Sequence, residues 1–456
     1  MSLSASSVSR RSLLRAGGMT VSAGAIASVL AACTSTRTDD SSSSSSSGGS
    51  LTFRLWDEGA ASAYEEALTS FTEDTGIEVK IEQVAWSDYF TTLRNDIAAG
   101  SAPDVFWVNA SNYVDYAAAG KLLDIEKTFP ESERTGWLEA AMDQYTVDGN
   151  LWGVPAMTDP NIAVYYNKEL LDAAGVSVED LADLAWDPTA ESDTLREIAT
   201  KLTLDKAGKT PADDGFDSGN IVQFGYNAAS DLQAIYLPWL GANGATYQDD
   251  DGQMSFASDA GIETFQYIVD LINEDHVSPS AADTNTNGDF SRDQFIQGKM
   301  GLFQSGAYNL ANIKDGADFE WGIVELPQGP KGRGGVVSAV AAVGSAASTS
   351  TDAQKKLLAW IGSADGSKVL GEKGVGLPGN TDAQDSWKTY WTDQDVDVTP
   401  MMTIDPDTSL PGPWGAKIQA AMDATNKVLP SVFLGKKDVA EGLKEAQDAG
   451  NAAIDG

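Results

Sequence analysis

The sequence predicts an α/β protein of two lobes, preceded by a leader segment and a polar tether. Three observations indicate this architecture. Strand-like and helix-like patterns alternate through most of the 456 residues, glycines follow the predicted helices where these must end, and the chain beyond residue 50 is long enough for two lobes of ordinary size. A core of that size needs no disulfide, and the chain has a single cysteine, Cys33.

The first 32 residues are predicted to be a signal peptide and not part of the fold. Arg10, Arg11 and Arg15 precede an apolar run that is shorter than the about 20 residues of a membrane-spanning helix and is diluted by glycine and serine. The stretch 9–14 resembles a twin-arginine export signal, and Leu30-Ala31-Ala32-Cys33 resembles the lipobox of bacterial lipoproteins. The alternative is an ordinary cleaved signal beside a chance cysteine.

These signals predict a protein whose Cys33 carries a lipid such as palmitate. The lipid would hold the chain at the extracellular face of the bacterial cytoplasmic membrane. Residues 33–50, with seven serines from Ser41 to Ser47, have nothing to bury and are predicted to form a flexible tether.

The formal charge is strongly acidic. It is −37 for the whole chain, and loss of the three signal-peptide arginines takes it to −40. Such a field repels phosphate backbones, so nucleic acid is not an expected partner. Neutral and cationic ligands remain compatible with this charge.

The first unit of the fold has a clear pattern. Leu51, Phe53 and Leu55 alternate as in a strand, and the apolar residues of 64–71 then follow helical spacing up to Gly76. A strand at 77–84, a helix ending at Gly100 and a strand at 105–108 complete a βαβαβ unit.

The alternation continues to the end of the chain. The stretch 188–219 is predicted to be a surface excursion with one helix and an acidic loop. The other predicted elements are a strand at 162–166, helices at 168–174, 262–272, 291–297, 416–428 and 439–449, and two short strands joined by a turn at 249–252.

The usual signatures of enzymes are missing from the sequence. His276 is the only histidine, so Ser-His-Asp or Cys-His catalysis and histidine-based zinc sites are not expected. The sequence predicts no enzyme, no cofactor and no catalytic residue. The loop 283–294 matches the first half of a calcium loop, but Gln294 stands where a bidentate glutamate belongs. A weak calcium site and a polar helix-capping loop are both compatible with that pattern, and no metal site is predicted.

Twelve tryptophans and many amide and carboxylate residues in loops suit a carbohydrate ligand. Sugars rest their C–H faces on aromatic rings and pair their hydroxyls with polar groups. Six segments then carry a family resemblance: Phe71-x4-Gly76-Ile77-x-Val79, Ala99-Gly100-x-Ala102-Pro103-Asp104-Val105-Phe106, Leu151-Trp152-Gly153-Val154-Pro155, Tyr165-Tyr166-Asn167-Lys168-Glu169-Leu170-Leu171, Gly298-Lys299-Met300-Gly301-Leu302 and Leu326-Pro327.

In this order the segments resemble family 1 extracellular solute-binding proteins of bacterial ABC sugar importers, which include maltose-binding protein. The resemblance implies a type II periplasmic-binding-protein-like fold, in which hinge strands join two α/β lobes around a ligand cleft. It places 51–158 plus 326–378 in an N-terminal lobe and 163–325 plus 381–456 in a C-terminal lobe. It also implies a monomer that captures a carbohydrate, in particular an oligosaccharide, and delivers it to a membrane permease with a separate ATPase.

The resemblance also implies candidate ligand contacts, each with a structural alternative. A helix-start carboxylate is the alternative for Asp57 and an exposed loop position for Gln233, whereas core packing is the alternative for Trp239 and Trp414. Tyr308 stands where the family generally has tryptophan, and Asn109 and Ser111 stand where it commonly has aspartate. The full set is Asp57, Glu58, Asn109, Ser111, Asp159, Gln233, Trp239, Tyr308 and Trp414.

Two other functions stay open at the level of sequence. A different solute, such as a polyamine, a peptide or a ferric complex, would suit an acidic cleft, although adjacent Tyr165 and Tyr166 in a strand would point to opposite faces and share no metal. An extracellular glycosidase would need two carboxylates roughly 5 to 9.5 Å apart.

Overall fold

A computed structural model describes residues 50–189, 193–403, 405 and 407–456. The predicted signal peptide, Cys33 and all of the tether except Ser50 lie outside the described residues. Among the helices of the described part, none is both long and apolar enough to cross a membrane.

The described strands and helices alternate along the chain. The strands are β1 Ser50–Leu55, β2 Glu78–Gln83, β3 Val105–Asn109, β4 Thr146–Val147, β5 Asn150–Leu151, β6 Val154–Asp159, β7 Ala163–Asn167, β8 Leu204–Asp205, β9 Ile221–Gln223, β10 Leu302–Ser305, β11 Trp321–Val324, β12 Gly335–Gly344, β13 Leu377–Pro378 and β14 Ser409–Pro411. The α-helices are α1 Glu58–Thr75, α2 Trp86–Ala99, α3 Val114–Ala118, α4 Ile125–Thr128, α5 Glu139–Gln144, α6 Lys168–Ala174, α7 Thr194–Leu202, α8 Leu237–Ala242, α9 Asp259–Asn273, α10 Ala281–Thr284, α11 Phe290–Ile296, α12 Leu310–Gly316, α13 Thr351–Gly362, α14 Ala364–Glu372, α15 Asp385–Asp393, α16 Ile418–Thr425, α17 Leu429–Phe433 and α18 Val439–Asp455. A π-helix spans Leu232–Tyr236.

The first lobe is built on a mixed sheet with the strand order β13-β6-β12-β3-β1-β2, and β14 pairs with β12. The predicted βαβαβ unit is confirmed, since β1 pairs in parallel with both β2 and β3. Gly76 and Gly100 end α1 and α2 in the left-handed conformation, with φ of 69° and 72°, which glycine adopts at no steric cost. Strand β12 returns from the second lobe and lies antiparallel between β3 and β6.

The second lobe contains the antiparallel sheet β10-β7-β11. Side chains of β7 alternate between its two faces, as the twofold period of a strand requires. Val164 belongs to one hydrophobic cluster with Leu302, whereas Ala163 and Tyr165 belong to another with Phe303. Tyr165 is fully buried in the second cluster and Tyr166 packs against the first, so the two hydroxyls form no shared metal site.

Three hydrophobic clusters describe how the lobes are assembled. One collects side chains from 51–157, 339–343 and 357–370, and the other two collect side chains from 162–336 and 377–446. Each lobe is therefore built from separate stretches of the chain. Leu326 and Val336 pack in one second-lobe cluster, and Leu377 packs in the other.

Two sequence predictions need correction. The residues flanking the turn 249–252 form a single bridge between Gln248 and Met254, not two strands. The turn itself is organised by Asp249 Oδ1, which accepts the backbone N–H groups of Asp251 and Gln253. The predicted helix 416–428 is shorter in the structure, where α16 begins after Lys417, which has a left-handed φ of 58°, and ends at Thr425. A separate helix, α17, begins at Leu429 with Pro430 in its first turn.

The acidic loop in the predicted excursion 188–219 has a defined hydrogen-bond pattern. It joins β8 to β9 in an antiparallel hairpin. Both carboxylate oxygens of Asp205 accept backbone N–H groups, from Ala207 and Lys209 at Oδ1 and from Asp217 at Oδ2, at 2.8 to 2.9 Å. These bonds lower the pKa of Asp205, with the bond from Lys209 contributing most.

Candidate ligand-binding cleft

The polar candidates of the first lobe lie at one edge of its sheet. Because β1, β2 and β3 are parallel, their carboxyl ends meet there, and such edges are where ligands bind in open α/β sheets. Strand β6 ends at the same edge, since β12 places Val340 opposite Asn109 and Ser338 opposite Asp159. Asp57, Asn109 and Asp159 therefore share the edge that leads into the second lobe.

Asp57 caps helix α1. Its Oδ1 accepts the backbone N–H of Ala60 at 2.7 Å, which satisfies one of the free donors of the first turn. Glu58 follows as an exposed residue of that turn, where a negative charge is favourable. The helix-start role that the sequence left open for Asp57 is thus present in the structure.

Asn109 and Ser111 bond to each other at the end of β3. The hydroxyl of Ser111 donates to Asn109 Oδ1 at 3.2 Å, and the buried amide of Asn112 donates to the same oxygen at 2.8 Å. The amide oxygen of Asn109 is therefore partly used within the loop.

Asp159 ends β6 and reaches the second lobe. Its Oδ2 accepts the side-chain N–H of Gln233 at 3.3 Å, so two candidates 74 positions apart in the chain are in contact. Desolvation raises the pKa of Asp159, and the hydrogen bonds from Gln233 and Ser338 oppose that rise. The structure thus brings together a desolvated carboxylate and an amide, the pair of groups that sugar hydroxyls need.

Gln233 lies on the π-helix Leu232–Tyr236. π-Helices are rare and are frequently found at functional sites. The Oδ1 of Asp231 caps this helix by accepting the N–H of Ala234 at 2.9 Å, and desolvation raises the pKa of Asp231 as well. Asp231 is a second desolvated carboxylate that sequence reasoning missed, because a single aspartate before an apolar run carries no distinguishing signal.

A buried amide holds the π-helix in place. Gln304, fully buried on β10, donates its side-chain N–H to the carbonyl of Ala234 at 2.6 Å. Its Oε1 accepts the hydroxyl of Tyr226 and the indole N–H of Trp239. All of these groups are buried, so the network fixes the backbone that carries Gln233.

Tyr308 presents an open aromatic ring. It is 45% exposed, and its ring lies against Gly306, where a Cβ would stand 2.3 Å from Tyr308 Cε1. Desolvation raises the pKa of Tyr308, and the negative charges of Asp231 and Asp159 raise it further. The exposed ring therefore stands beside the two desolvated carboxylates.

Trp239 is a core residue, which corrects its prediction as a stacking platform. It is 1% exposed, and its ring contacts those of Trp186, Tyr226 and Tyr267 at centroid distances of 5.0, 5.9 and 5.5 Å. Its surroundings leave no ring face for a ligand. The prediction failed because an aromatic residue in a helix near a cleft has the same sequence pattern whether it faces inward or outward.

Trp414 is half-buried in the loop between β14 and α16. Gln248 clamps its backbone, accepting the N–H and donating to the carbonyl at 3.0 Å each, and its indole lies over Gly252. Just beyond it, the backbone N–H of Lys417 donates to Asp115 of the first lobe at 3.2 Å. The loop of Trp414 therefore reaches the line along which the lobes meet.

An aromatic cluster, Trp56, Trp86 and Phe90, stands at the cleft edge of the first lobe and was missed from the sequence. Trp56 follows β1 directly and Trp86 begins α2 after β2. The Trp56 and Trp86 rings meet at 5.3 Å, and Trp86 and Phe90 also meet at 5.3 Å. Trp86 is 56% exposed. The signal available in the sequence was the position of both tryptophans just after a predicted strand.

Asn161 connects the segments that cross between the lobes. It is 5% exposed, its backbone N–H donates to the carbonyl of Met401 at 2.8 Å, and its side-chain N–H donates to the carbonyl of Thr403 at 2.9 Å. Its Oδ1 accepts the N–H of Val336 at 3.2 Å, at the start of β12. One buried amide therefore ties the first crossover to two other stretches of the chain.

A polar cavity of about 440 Å³ adjoins Asn161. Arg333 in its lining pairs with Glu325 at 3.1 Å and also donates to the carbonyls of Leu326 and Ala182. Because none of the predicted ligand contacts lines this cavity, the strand-end edge beside Asp159 remains the candidate site.

The described residues contain no group of three or more acidic, histidine or cysteine side chains arranged to hold a metal. In the loop 283–294, Asp283 accepts the hydroxyl of Ser280 at 2.8 Å, Asn287 accepts the N–H of Asp289, and Asp289 pairs with Arg292 at 3.0 Å. These oxygens serve separate local partners, and Asp289 at the start of α11 forms no side-chain capping bond, so the helix-capping alternative is not confirmed.

Comparison with known proteins gives a family and close structural neighbours. The family described as bacterial extracellular solute-binding protein matches residues 56–368. The crystal structure of UspC from M. tuberculosis is 44% identical, covers 89% of this chain and 100% of that one, and superposes with a TM-score of 0.75. The maltodextrin-binding protein MdxE of Bacillus subtilis is 26% identical over 70% of this chain and 69% of its own length.

A further structure shows the same fold at lower identity. The GacH receptor of Streptomyces glaucescens, solved unliganded and with acarbose, is 21% identical, covers 90% of this chain and 99% of its own, and has a TM-score of 0.72. The family match over most of the folded chain, with the two-lobed architecture and the strand-end cleft, identifies this chain as a member of the bacterial extracellular solute-binding proteins.

Proposed function

We propose that this protein is a lipid-anchored receptor that captures a carbohydrate, in particular an oligosaccharide, and delivers it to an ABC importer. The observation that carries the proposal is the contact of Asp159 with Gln233 beside the open ring of Tyr308. A desolvated carboxylate, an amide and an aromatic face are the three kinds of group that recognise a sugar. MdxE is named as a maltodextrin-binding protein and GacH was solved with acarbose, which supports the same ligand class.

Binding involves no bond cleavage. The carboxylate of Asp159 accepts a sugar hydroxyl, Gln233 donates to a hydroxyl oxygen, and the ring of Tyr308 covers a C–H face. Closure of the lobes adds the polar groups of the first-lobe edge, so the ligand stabilises the closed state by its differential affinity. The proposed contacts are Asp57, Glu58, Asn109, Ser111, Asp159, Asp231, Gln233, Tyr308 and Trp414.

The predicted lipid on Cys33 would anchor the receptor to the membrane. Export through a twin-arginine signal, cleavage at the lipobox and acylation would hold a monomeric receptor beside its permease by the serine tether, which raises the local encounter concentration. Replacing Cys33 with serine should release the protein from membranes and leave ligand affinity unchanged. A loss of affinity in that variant would contradict a purely mechanical tether.

Calorimetric titration against mono- and oligosaccharides, with polyamines, peptides and ferric complexes as competing classes, tests the proposal. Binding of at least one sugar, with no shortened product after incubation, is the expected result. If no sugar binds while another solute does, the carbohydrate proposal is wrong. Shortened oligosaccharides would instead indicate a glycosidase.

A further inference from the structure

The aromatic cluster of Trp56, Trp86 and Phe90 has an exposure that core packing does not explain. Large aromatic side chains dominate cores because they bury much apolar area. Trp86 nevertheless leaves 56% of its surface in solvent. Among the described residues, Trp86 and Tyr308 are the only aromatic side chains in the set of large exposed hydrophobic residues, and they stand on different lobes.

The exposed ring is held in position by other aromatic residues. Trp86 meets Trp56 at an interplanar angle of 71° and Phe90 at 86°, both in edge-to-face contacts. Beneath them, Trp56 contacts the buried rings of Tyr89 and Trp107 at 5.1 Å each. A ring fixed in this way loses little conformational entropy when a ligand stacks on it.

The polar neighbours of Trp86 are those of a sugar site. Ser87 and Asp88 are exposed next to it in the chain, and the exposed Gln83 donates to the carbonyl of Trp56 at 3.0 Å. Trp56 is followed directly by Asp57 and Glu58 at the cleft edge. The cluster is therefore continuous with the candidate cleft and combines a ring face with hydroxyl, carboxylate and amide groups.

We propose that Trp86, backed by Trp56 and Phe90, forms an outer subsite that stacks on a distal sugar unit of the oligosaccharide whose inner units lie beside Asp159. This inference rests on the proposed carbohydrate function and adds that affinity grows with ligand length. A ligand too short to reach from Asp159 to Trp86 would gain no affinity from stacking on this ring.

A glycan array that spans many linkages and lengths of about one to eight units tests the subsite. Four proteins are applied to it in parallel: the wild type, Trp86→Ala, Trp86→Phe and the control Val222→Ala. Val222 is an exposed apolar side chain on the β8–β9 hairpin, outside the cleft-edge loops. Calorimetry on the best-bound series then gives dissociation constants. Trp86→Ala should weaken the longer glycans about tenfold, which corresponds to about 1.4 kcal/mol. It should leave the shortest binding glycan unchanged.

The remaining outcomes separate the two proposals. Trp86→Phe should retain part of the length dependence, and Val222→Ala all of it. Unchanged profiles in Trp86→Ala overturn the subsite alone, as does an equal loss for short and long glycans, which would place Trp86 in the inner site. Normal binding with impaired uptake by cells would make Trp86 a permease contact and also overturn the subsite. No glycan binding by the wild type overturns the carbohydrate function itself.

Discussion

The two walls of the cleft use their residues differently. On the second-lobe side, Gln233 meets Asp159 and is positioned by a π-helix that Gln304 supports from the core. On the first-lobe side, Asp57 caps a helix and Asn109 accepts bonds within its own loop, while Trp86 stays open. The first wall thus supplies the carboxylate of Asp159 and the exposed ring of Trp86, while Asp57 and Asn109 bond within their own loops. The second wall supplies the amide of Gln233, which buried bonds position, and the exposed ring of Tyr308.

Burial in the folded chain decides whether a tryptophan at the start of a helix packs in the core or is available to a ligand. Trp239 and Trp86 both lie at the start of a helix, yet one is 1% and the other 56% exposed. The first stabilises the lobe that positions the polar contacts, and the second is available to a ligand.

Trp239→Ala should destabilise the protein by about 3–5 kcal/mol, because truncating a buried tryptophan loses its burial and leaves a cavity. Trp86→Ala removes one exposed ring with two edge contacts and should cost at most about 1.5 kcal/mol. Urea unfolding of both variants measures the contrast. Equal losses of stability would contradict the assignment of one ring to the core and the other to the surface.

Gln304→Ala should cost about 3 kcal/mol or more, because it leaves three buried groups without a partner and each such group costs about 1–3 kcal/mol. The substitution removes a hydrogen-bond partner from the hydroxyl of Tyr226, the indole N–H of Trp239 and the carbonyl of Ala234. Ligand affinity should fall too, since the π-helix carries Gln233. Urea unfolding and calorimetry check both effects, with the exposed Gln394→Ala as control. Unchanged affinity in a folded Gln304→Ala protein would show that the network does not position the site.

Tyr308→Ala should lower ligand affinity by about 1 kcal/mol, the order of an aromatic stacking contact, with little effect on stability because the ring is 45% exposed. Tyr308→Phe should keep most of the affinity if the ring face provides the contact. Calorimetry with the best-bound sugar measures both variants. If Phe were as weak as Ala, the hydroxyl and not the ring would be the contact.

The pKa of Asp159 predicts a small pH effect on stability. Desolvation raises it in the folded protein, so the folded state holds the proton more readily than the unfolded state and ionisation at neutral pH costs stability. That cost disappears as the pH falls towards the ordinary aspartate value of 3.8. Asp159→Asn should therefore be more stable than the wild type at pH 7, and the gap should narrow in acid.

Unfolding curves at several pH values measure this gap. The exposed Asp148→Asn is the control, because its left-handed φ of 52° suits asparagine equally well. A gap that is absent at neutral pH, or that widens in acid, would contradict a desolvated carboxylate at position 159.

Much of the fold follows from local pattern. The βαβαβ unit and the glycine ends at Gly76, Gly100 and Gly175 depend on spacing and backbone freedom, which the sequence displays directly. The start of α16 after the left-handed Lys417, and the separate helix α17 with Pro430 in its first turn, depend instead on the packing of the lobe, which the sequence pattern does not display.

The site was less predictable because it depends on distant contacts. Asp159 and Gln233 were each predicted as contacts from family resemblance, but their meeting joins two lobes. Exposure is likewise a property of the folded chain, so the sequence favoured the buried Trp239 over the exposed Trp86. Asp231 became visible only when the π-helix it caps was seen beside Tyr308.

Titration of the wild type and Asp159→Asn with the best-bound oligosaccharide tests the central claim most directly. The carboxylate of Asp159 is proposed to accept a sugar hydroxyl in the cleft, and a hydrogen bond to a charged group contributes about 1.5–3 kcal/mol. Asp159→Asn should therefore bind about 10- to 150-fold more weakly, while Asp148→Asn, with the same loss of charge, should match the wild type. Equal affinity of Asp159→Asn and the wild type would contradict the account.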